Sequence, residues 1–233
     1  MNKICIIIPA FNEQGSIRSV IQEIKKVNSN FHIVVVNDAS SDETLLEIKK
    51  ENVTIINLPI NLGIGGAVQT GLKYALNNKF SIAVQIDADG QHNPNEIPKL
   101  INYLNKDIDL IIGSRYIKFS KYNVTFWRNF GTHVFSNLIK ITTGKRIYDA
   151  TSGLRVFNKK ALTYCSFNYP TDFPEPESII DLVNAGFKIK EIPVTMHSRK
   201  HGKSSVNKLK AIYLMITISI AIIIRAINNN EYE

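Results

Sequence analysis

Five short apolar runs, Ile4 to Ile8, Ile33 to Val36, Val53 to Leu58, Ile82 to Ile86 and Leu110 to Ile112, recur through the first half of the chain with longer amphipathic stretches between them. The runs are rich in β-branched residues and almost uninterrupted, the pattern of strands buried on both faces. The intervening stretches, from about Ser16 to Val27, Asp42 to Lys50, Ile64 to Asn77 and Pro94 to Leu104, carry helical periodicity. Strand and helix therefore alternate, which predicts an α/β fold built on a mostly parallel, Rossmann-like sheet flanked by helices. Such sheets bind ligands at the carboxyl ends of their strands. The residues that carry chemistry are expected just after the apolar runs.

Helix starts are marked by Ser40 with Glu43, and by Asn93 with Pro94 and Glu96, each pairing an N-cap residue with an acid three positions on. The second half is less regular: helices over Gly131 to Thr143 and Glu177 to Ala185, and strands over Leu154 to Phe157 and Lys188 to Val194. A single domain over residues 1–206 is expected, followed by an apolar helix and polar tail over 207–233.

Asp87-Ala88-Asp89-Gly90-Gln91-His92 follows the fourth run. In an extended segment residues two apart point the same way, so Asp87 and Asp89 can converge on one hard cation that bridges a diphosphate. Two acids in a turn also serve simply as caps. Pro9-Ala10-Phe11-Asn12-Glu13 follows the first run and Asn37-Asp38-Ala39-Ser40 the second. An Asp at a strand end can accept hydrogen bonds from a base or a ribose, or it can start the next helix. Asn61-Leu62-Gly63-Ile64-Gly65-Gly66-Ala67 brings three glycines to a helix start, where backbone can approach a ligand. Its spacing is not G-x-G-x-x-G and it follows the third strand, which argues against a dinucleotide-dependent oxidoreductase.

These segments, joined by Gly113-Ser114-Arg115, Asp149-Ala150-Thr151-Ser152-Gly153-Leu154-Arg155 and Arg199-Lys200-His201-Gly202-Lys203-Ser204-Ser205, resemble the family 2 glycosyltransferases of the GT-A fold. The likeness is to the branch that includes dolichol-phosphate mannose synthase and other polyprenyl-phosphate sugar transferases. It implies an inverting enzyme that moves a hexose from a UDP- or GDP-linked sugar to polyprenyl phosphate or a cell-surface glycan. It places Pro9, Asn12, Glu13, Asp38 and Gly63 around the nucleoside, and Asp87, Ala88 and Asp89 at the diphosphate. Asp87, Asp89 and Gln91 would gather around Mg²⁺ or Mn²⁺, and Arg199 and Lys203 would close over the donor. Arg115, Arg128 and Thr132 would meet the acceptor, Arg115 also assisting catalysis. An acid of Phe173-Pro174-Glu175-Pro176-Glu177 would act as base, Glu177 ahead of Glu175, although a phosphate acceptor already carries its own oxyanion.

Twenty-eight Lys and Arg against twenty Asp and Glu leave a net charge of +8, which suits a nucleotide or a phospholipid surface. No basic patch interleaved with aromatics is present, so nucleic acid is not an expected partner. Two scattered cysteines, Cys5 and Cys165, exclude a disulfide framework and fit a reducing compartment. From Ala211 to Ile224 no charge occurs, with Lys208, Lys210 and Arg225 as flanks. A helix of that length rises ~21 Å, short of the ~30 Å hydrocarbon core. A peripheral enzyme on the cytoplasmic face of a membrane is expected, with a small membrane-protein partner. Packing of this helix on the domain's own core, or in a homodimer, is the alternative. A catalytically degenerate scaffold of the same fold is disfavoured by the intact Asp87, Asp89 and Arg115.

Overall fold

The computed structural model describes residues 3–104, 107–117, 126–197 and 208–229. Seven strands among them form one sheet: β1 (Ile4–Ala10), β2 (His32–Asn37), β3 (Thr54–Asn57), β4 (Ile82–Gln85), β5 (Leu110–Ser114), β6 (Arg155–Phe157) and β7 (Ile189–Pro193). Their order is β3-β2-β1-β4-β6-β5-β7. All neighbours are parallel except β6, which runs antiparallel between β4 and β5. The helices are α1 (Ile17–Val27), α2 (Thr44–Lys49), α3 (Gly63–Asn77), α4 (Glu96–Tyr103), α5 (Phe126–Thr143), α6 (Lys159–Asn168), α7 (Pro174–Asn184) and α8 (Lys208–Asn229).

Alternation along each strand divides the core. Ile7, Val34, Leu110 and Phe157 face one helical layer with Leu72, Ile179 and Ile222. Ile6, Ile8, Val35 and Val156 face the other with Ile17, Ile21 and Ile97. The register explains why the strands read as continuous apolar runs, since each face has its own layer to bury. In α1, Ile17, Val20, Ile21 and Ile24 are buried, an i, i+3, i+4, i+7 stripe in which each side chain contributes about 2 kcal/mol of burial. Gly71 lets α3 lie directly on β1, because a Cβ there would collide with the Ile7 side chain.

The strand ends carry left-handed residues. Asn12 and Ala39 have φ of 55° just after β1 and β2, turning both chains across the carboxyl edge. The two loops clasp one another: Asn12 Oδ1 accepts from Ser41 N at 2.8 Å, Ser40 Oγ accepts from Asn12 N at 3.0 Å, and Gln14 Oε1 accepts from Glu43 N at 2.9 Å.

Two sequence expectations are corrected. Ser40 does not cap α2. Its hydroxyl serves the clasp, and Asp42 Oδ1 takes Thr44 N at 2.9 Å instead. Nor does Asn93 form a capping box with Glu96. Asn93 Oδ1 accepts from Asn95 N, while Glu96 Oε1 reaches across to Thr195 N and Oγ1. The helix α6 was not anticipated. Its one sequence mark is Asn158, whose side chain accepts from Ala161 N at 2.8 Å as N-cap, ahead of a weakly amphipathic run.

Helix α8 lies against α5 and α7. Ile222 and Ala226 are buried, and Arg225 forms a two-pronged bond to Asp181 at 2.6 and 2.7 Å. One face of the apolar stretch thus packs on the domain's own core. No described helix is long and apolar enough to cross a membrane. Cys5 and Cys165 are free and buried, and burial pushes both thiols up to about 12, which leaves them unreactive.

Candidate active site

The carboxyl ends of β1, β2 and β4 open onto a cavity of about 510 Å³. One end is walled by Pro9, Ala10 and Phe11 after β1, by Asp38 after β2, and by Asn61, Gly63 and Ile64 at the start of α3. Asp38 is pinned there because its Oδ1 accepts from Leu62 N at 2.7 Å and its backbone carbonyl from Asn61 Nδ2 at 3.3 Å. The Asp38 carboxylate is thereby held at the N-terminus of a 15-residue helix, a position that favours negative charge.

The other end is walled by Asp87, Ala88 and Asp89, by Thr151 and Gly153, and by Glu175. The Asp87 side chain is 35% exposed, and its Oδ2 is bonded by His92 Nε2 at 3.0 Å. Burial opposes ionisation of Asp87, but that bond and the charges of His92, Arg115 and Arg155 outweigh it and hold the carboxyl below its usual range. Asp89 Oδ1 accepts from the backbone N–H of Gln91 at 3.0 Å. Both carboxylates are thus oriented from behind by residues of their own loop. Gly153 is required by close approach, since a Cβ there would overlap both carboxylate oxygens of Asp87.

The structure separates the two candidate acids of α7. Glu175 faces the cavity beside Asp87, and burial pushes its carboxyl above the usual range, with Arg155 pulling it back down and Asp87 pushing it further up. Glu177 lies on the far side, 3.5 Å from Arg225, where it lines a second cavity with Asp181. Of the two acids, Glu175 alone lines the first cavity. Helix periodicity accounts for it: residues two apart point to different faces.

Of the other expected residues, Glu13 lines the cavity, with its Oε2 bonded by the Ser16 hydroxyl at 2.6 Å. Asn12 does not line it, because its amide is committed to the clasp. Gln91 does not line it either, and contributes its backbone: the N–H to Asp89 and the carbonyl to His197 N. Arg115 is buried behind the site. Its Nε and Nη2 grip Asp149 at 2.7 and 2.6 Å, and Nη2 also meets Thr151 Oγ1 at 2.9 Å. Burial opposes its charge, but Asp149 more than compensates, so Arg115 acts on the site through the loop that carries Thr151. Thr132 is buried in α5. The Arg128 side chain, Arg199 and Lys203 lie outside the described residues. Sequence reasoning missed Thr151 and Gly153 as cavity walls and Phe11 as a rim residue, although all three fall inside segments it singled out.

Comparison with known proteins agrees with this geometry. Residues 5–164 match the family model described as Glycosyl transferase family 2. The chain is 30% identical over 241 aligned positions to the UDP-N-acetylglucosamine–dolichyl-phosphate N-acetylglucosaminyltransferase of Methanococcus voltae, with 92% of this chain and 95% of the relative covered. It is 28% identical to the polyprenol monophosphomannose synthase of Mycolicibacterium smegmatis, covering 87% of this chain and 80% of the relative. In fold it is similar to glucosyl-3-phosphoglycerate synthase from Mycobacterium tuberculosis, solved with Mn²⁺, UDP and phosphoglyceric acid, at a TM-score of 0.74 and 19% identity over 97% of this chain and 78% of that one. The sheet order, the strand-end carboxylates and the matched family point the same way: the chain is a glycosyltransferase and belongs to glycosyl transferase family 2.

Proposed function

We propose that this glycosyltransferase moves a hexose from a UDP- or GDP-linked donor to polyprenyl phosphate, with Mg²⁺ or Mn²⁺ held at Asp87 and Asp89. The observation that carries this reading is the convergence of Asp38, Asp87 and Asp89 on one cavity at the carboxyl edge of the sheet. Asp38, fixed by Leu62 N, offers its remaining acceptor capacity to the base or ribose. The donor set for a cation is all oxygen, which suits a hard divalent ion. Among the described residues no group of three or more His, Cys, Asp or Glu gathers for a metal. Two carboxylates would then hold the ion in part, with diphosphate oxygens completing its shell, as Mg²⁺ sites in nucleotide enzymes do. When bound, the ion supplies positive charge to the departing diphosphate.

The chain's own residues do the rest. His92 and the Gln91 N–H keep the two carboxylates aimed into the cavity. Glu175, beside Asp87, accepts a hydroxyl hydrogen bond from the transferred sugar and orients its reacting carbon toward the acceptor. A phosphate acceptor brings its own nucleophilic oxygen. The raised pKa of Glu175 favours a second reading, in which the same carboxylate is general base toward a glycan hydroxyl.

Support for a lipid-linked acceptor comes from the M. voltae and M. smegmatis relatives, named for dolichyl-phosphate and polyprenol substrates, and from α8. Tyr213, Ile216, Ile220, Ile223, Ile224 and Ile227 are exposed along it, at the spacing of one helical face. On this reading residues 1–206 are the catalytic unit and 207–233 rest on the cytoplasmic face of a membrane or against a small membrane-protein partner. The deciding experiment is a donor panel with Mn²⁺, scoring nucleotide release with and without polyprenyl phosphate. Release stimulated by polyprenyl phosphate supports the first reading, release stimulated only by a glycan supports the second, and no acceptor-dependent release from any UDP- or GDP-sugar overturns both.

A further inference from the structure

Arg155 is fully buried, and the function as derived leaves it without a role. It stands on β6 directly opposite Gln85 of β4, two residues before Asp87, and opposite Ile112 of β5. Its guanidinium makes four hydrogen bonds. Nε donates to Ser152 O at 2.9 Å and Nη2 to Ala150 O at 3.1 Å, holding the loop that brings Thr151 and Gly153 to the cavity. Nη2 also donates to Glu175 O at 2.8 Å and Nη1 to Ser178 Oγ at 2.8 Å, and Ser178 Oγ in turn donates to Glu175 O at 3.1 Å. These bonds seize the first turn of α7 at the residue whose carboxylate enters the cavity.

All four acceptors are neutral. A buried cation without a bonded counter-ion is costly, and an apolar side chain of similar volume would avoid that cost. What the charge faces is the cavity wall, where its field acts on both Asp87 and Glu175. It thus lets a second carboxylate stand beside the cation-binding pair, a crowding of like charges that would otherwise be unfavourable.

We propose that Arg155 is the positioning residue for Glu175, fixing through its guanidinium fork and its charge where that carboxylate stands relative to Asp87 in the donor cavity. The assignment rests on the reading of Glu175 as the residue that orients the transferred sugar. The test is a double-mutant cycle with two readouts, turnover on the preferred donor and the dissociation constant of Mn²⁺ with the matching nucleoside diphosphate. Arg155→Lys keeps the charge and loses the fork. It is expected to lower kcat on the order of thirtyfold while nucleotide affinity stays within about threefold. Ser178→Ala, which removes one acceptor and leaves the charge buried as before, is expected to cost about threefold in kcat. On a Glu175→Gln background both losses should nearly vanish, because the residue they act through is already disabled.

A loss that repeats in full on the Glu175→Gln background overturns the assignment, as does nucleotide affinity that falls in step with kcat. If Arg155→Lys does not fold, the Ser178→Ala arm decides by the same criterion. A wild-type chain that turns over no donor overturns the proposed function and this assignment together, whereas turnover with independent losses overturns this assignment alone.

Discussion

The acids of the two halves of the sheet are displaced in opposite directions. Asp42, Glu51, Asp87 and Glu96, which serve the half built on β1 to β4, all titrate below their usual range. Glu175, Glu177 and Glu191, which serve the half built on β5 to β7, all titrate above it. At Asp42, Asp87 and Glu96 burial opposes ionisation but is outweighed, by Thr44, His92 and Thr195 respectively. At Glu51 the Lys25 bond leads. At Glu175, Glu177 and Glu191 burial itself is the leading cause. In the first half, Asp87 is therefore the cavity carboxylate whose surroundings favour its charged form. The second half brings in an acid that its surroundings hold closer to neutrality.

The largest effect that would break this division lies at the charged pair. Asp89→Ala should lower turnover on the order of a thousandfold with the fold intact, since a metal-held diphosphate leaving group is worth several kcal/mol. Gly153→Ala should lower turnover less, through crowding, because its methyl would displace the Asp87 carboxylate. A loss of about a hundredfold is expected, with Mn²⁺-dependent nucleotide binding weakened in parallel. Normal metal-dependent binding by Gly153→Ala would show that Asp87 does not need its present place.

Next comes the contrast within α7. Glu175→Gln should cost between about tenfold and a hundredfold in kcat, the worth of a hydrogen bond to a charged group. Glu177→Gln should leave kcat within about twofold and change thermal stability by about 1 kcal/mol or less, because burial disfavours its charge and its partner Arg225 is partly solvated and keeps Asp181. The reverse pattern in a steady-state assay would move the site to the far face of the helix.

That contrast marks the limit of what sequence could convey. The parallel sheet was legible because its strands are local runs with a helix after each, and Asp38, Asp87 and Asp89 were legible because they follow those runs directly. The antiparallel β6 is three residues long and carries no periodicity of its own, so its insertion between β4 and β5 had no local sign. The Arg115–Asp149 pair spans 34 positions and the grip of Arg155 on Ser178 spans 23. Neither link can be read from spacing. The face of α7 that meets the cavity is set by packing across the fold, which puts Glu175 and not Glu177 in the cavity wall. Capping failed for a related reason, since Ser40 and Glu96 found better partners across the fold.

The two halves should also part under acid. A carboxyl with a depressed folded pKa contributes stability that is present above its unfolded value and lost as pH falls through the folded one. One with a raised folded pKa contributes below its unfolded value, and that contribution is lost as pH rises through the folded one. Acidification from neutral pH therefore relieves Glu175, Glu177 and Glu191 first. Only below about pH 4 does it remove the Asp42 and Glu51 contacts that tie α1, α2 and the clasp together. Hydrogen exchange followed down the pH scale should show amide protection in β1, β2 and α2 collapsing while β5 and β7 still hold. Simultaneous loss would mean that the clasp does not limit acid stability.

The smallest effect concerns backbone alone. Among the described residues three non-glycine residues have positive φ, and all belong to the first half: Asn12, Ala39 and Lys79. Asn12 and Ala39 turn the chain beside the cavity, next to the lining residues Phe11 and Asp38. Lys79 has φ of 59° and follows the C-terminal end of α3, where its N–H meets Leu76 O at 3.0 Å. Glycine is the usual residue at that position because a Cβ is unfavourable in the left-handed region. Lys79→Gly should therefore raise stability by up to about 1 kcal/mol in chemical denaturation, with nucleotide affinity unchanged. Ala39→Gly relieves the same backbone strain but loosens the turn that holds Asp38, so any gain in stability should come with weaker nucleotide binding. If the two substitutions behave alike in both measurements, the left-handed turn at Ala39 belongs to the fold and not to the site.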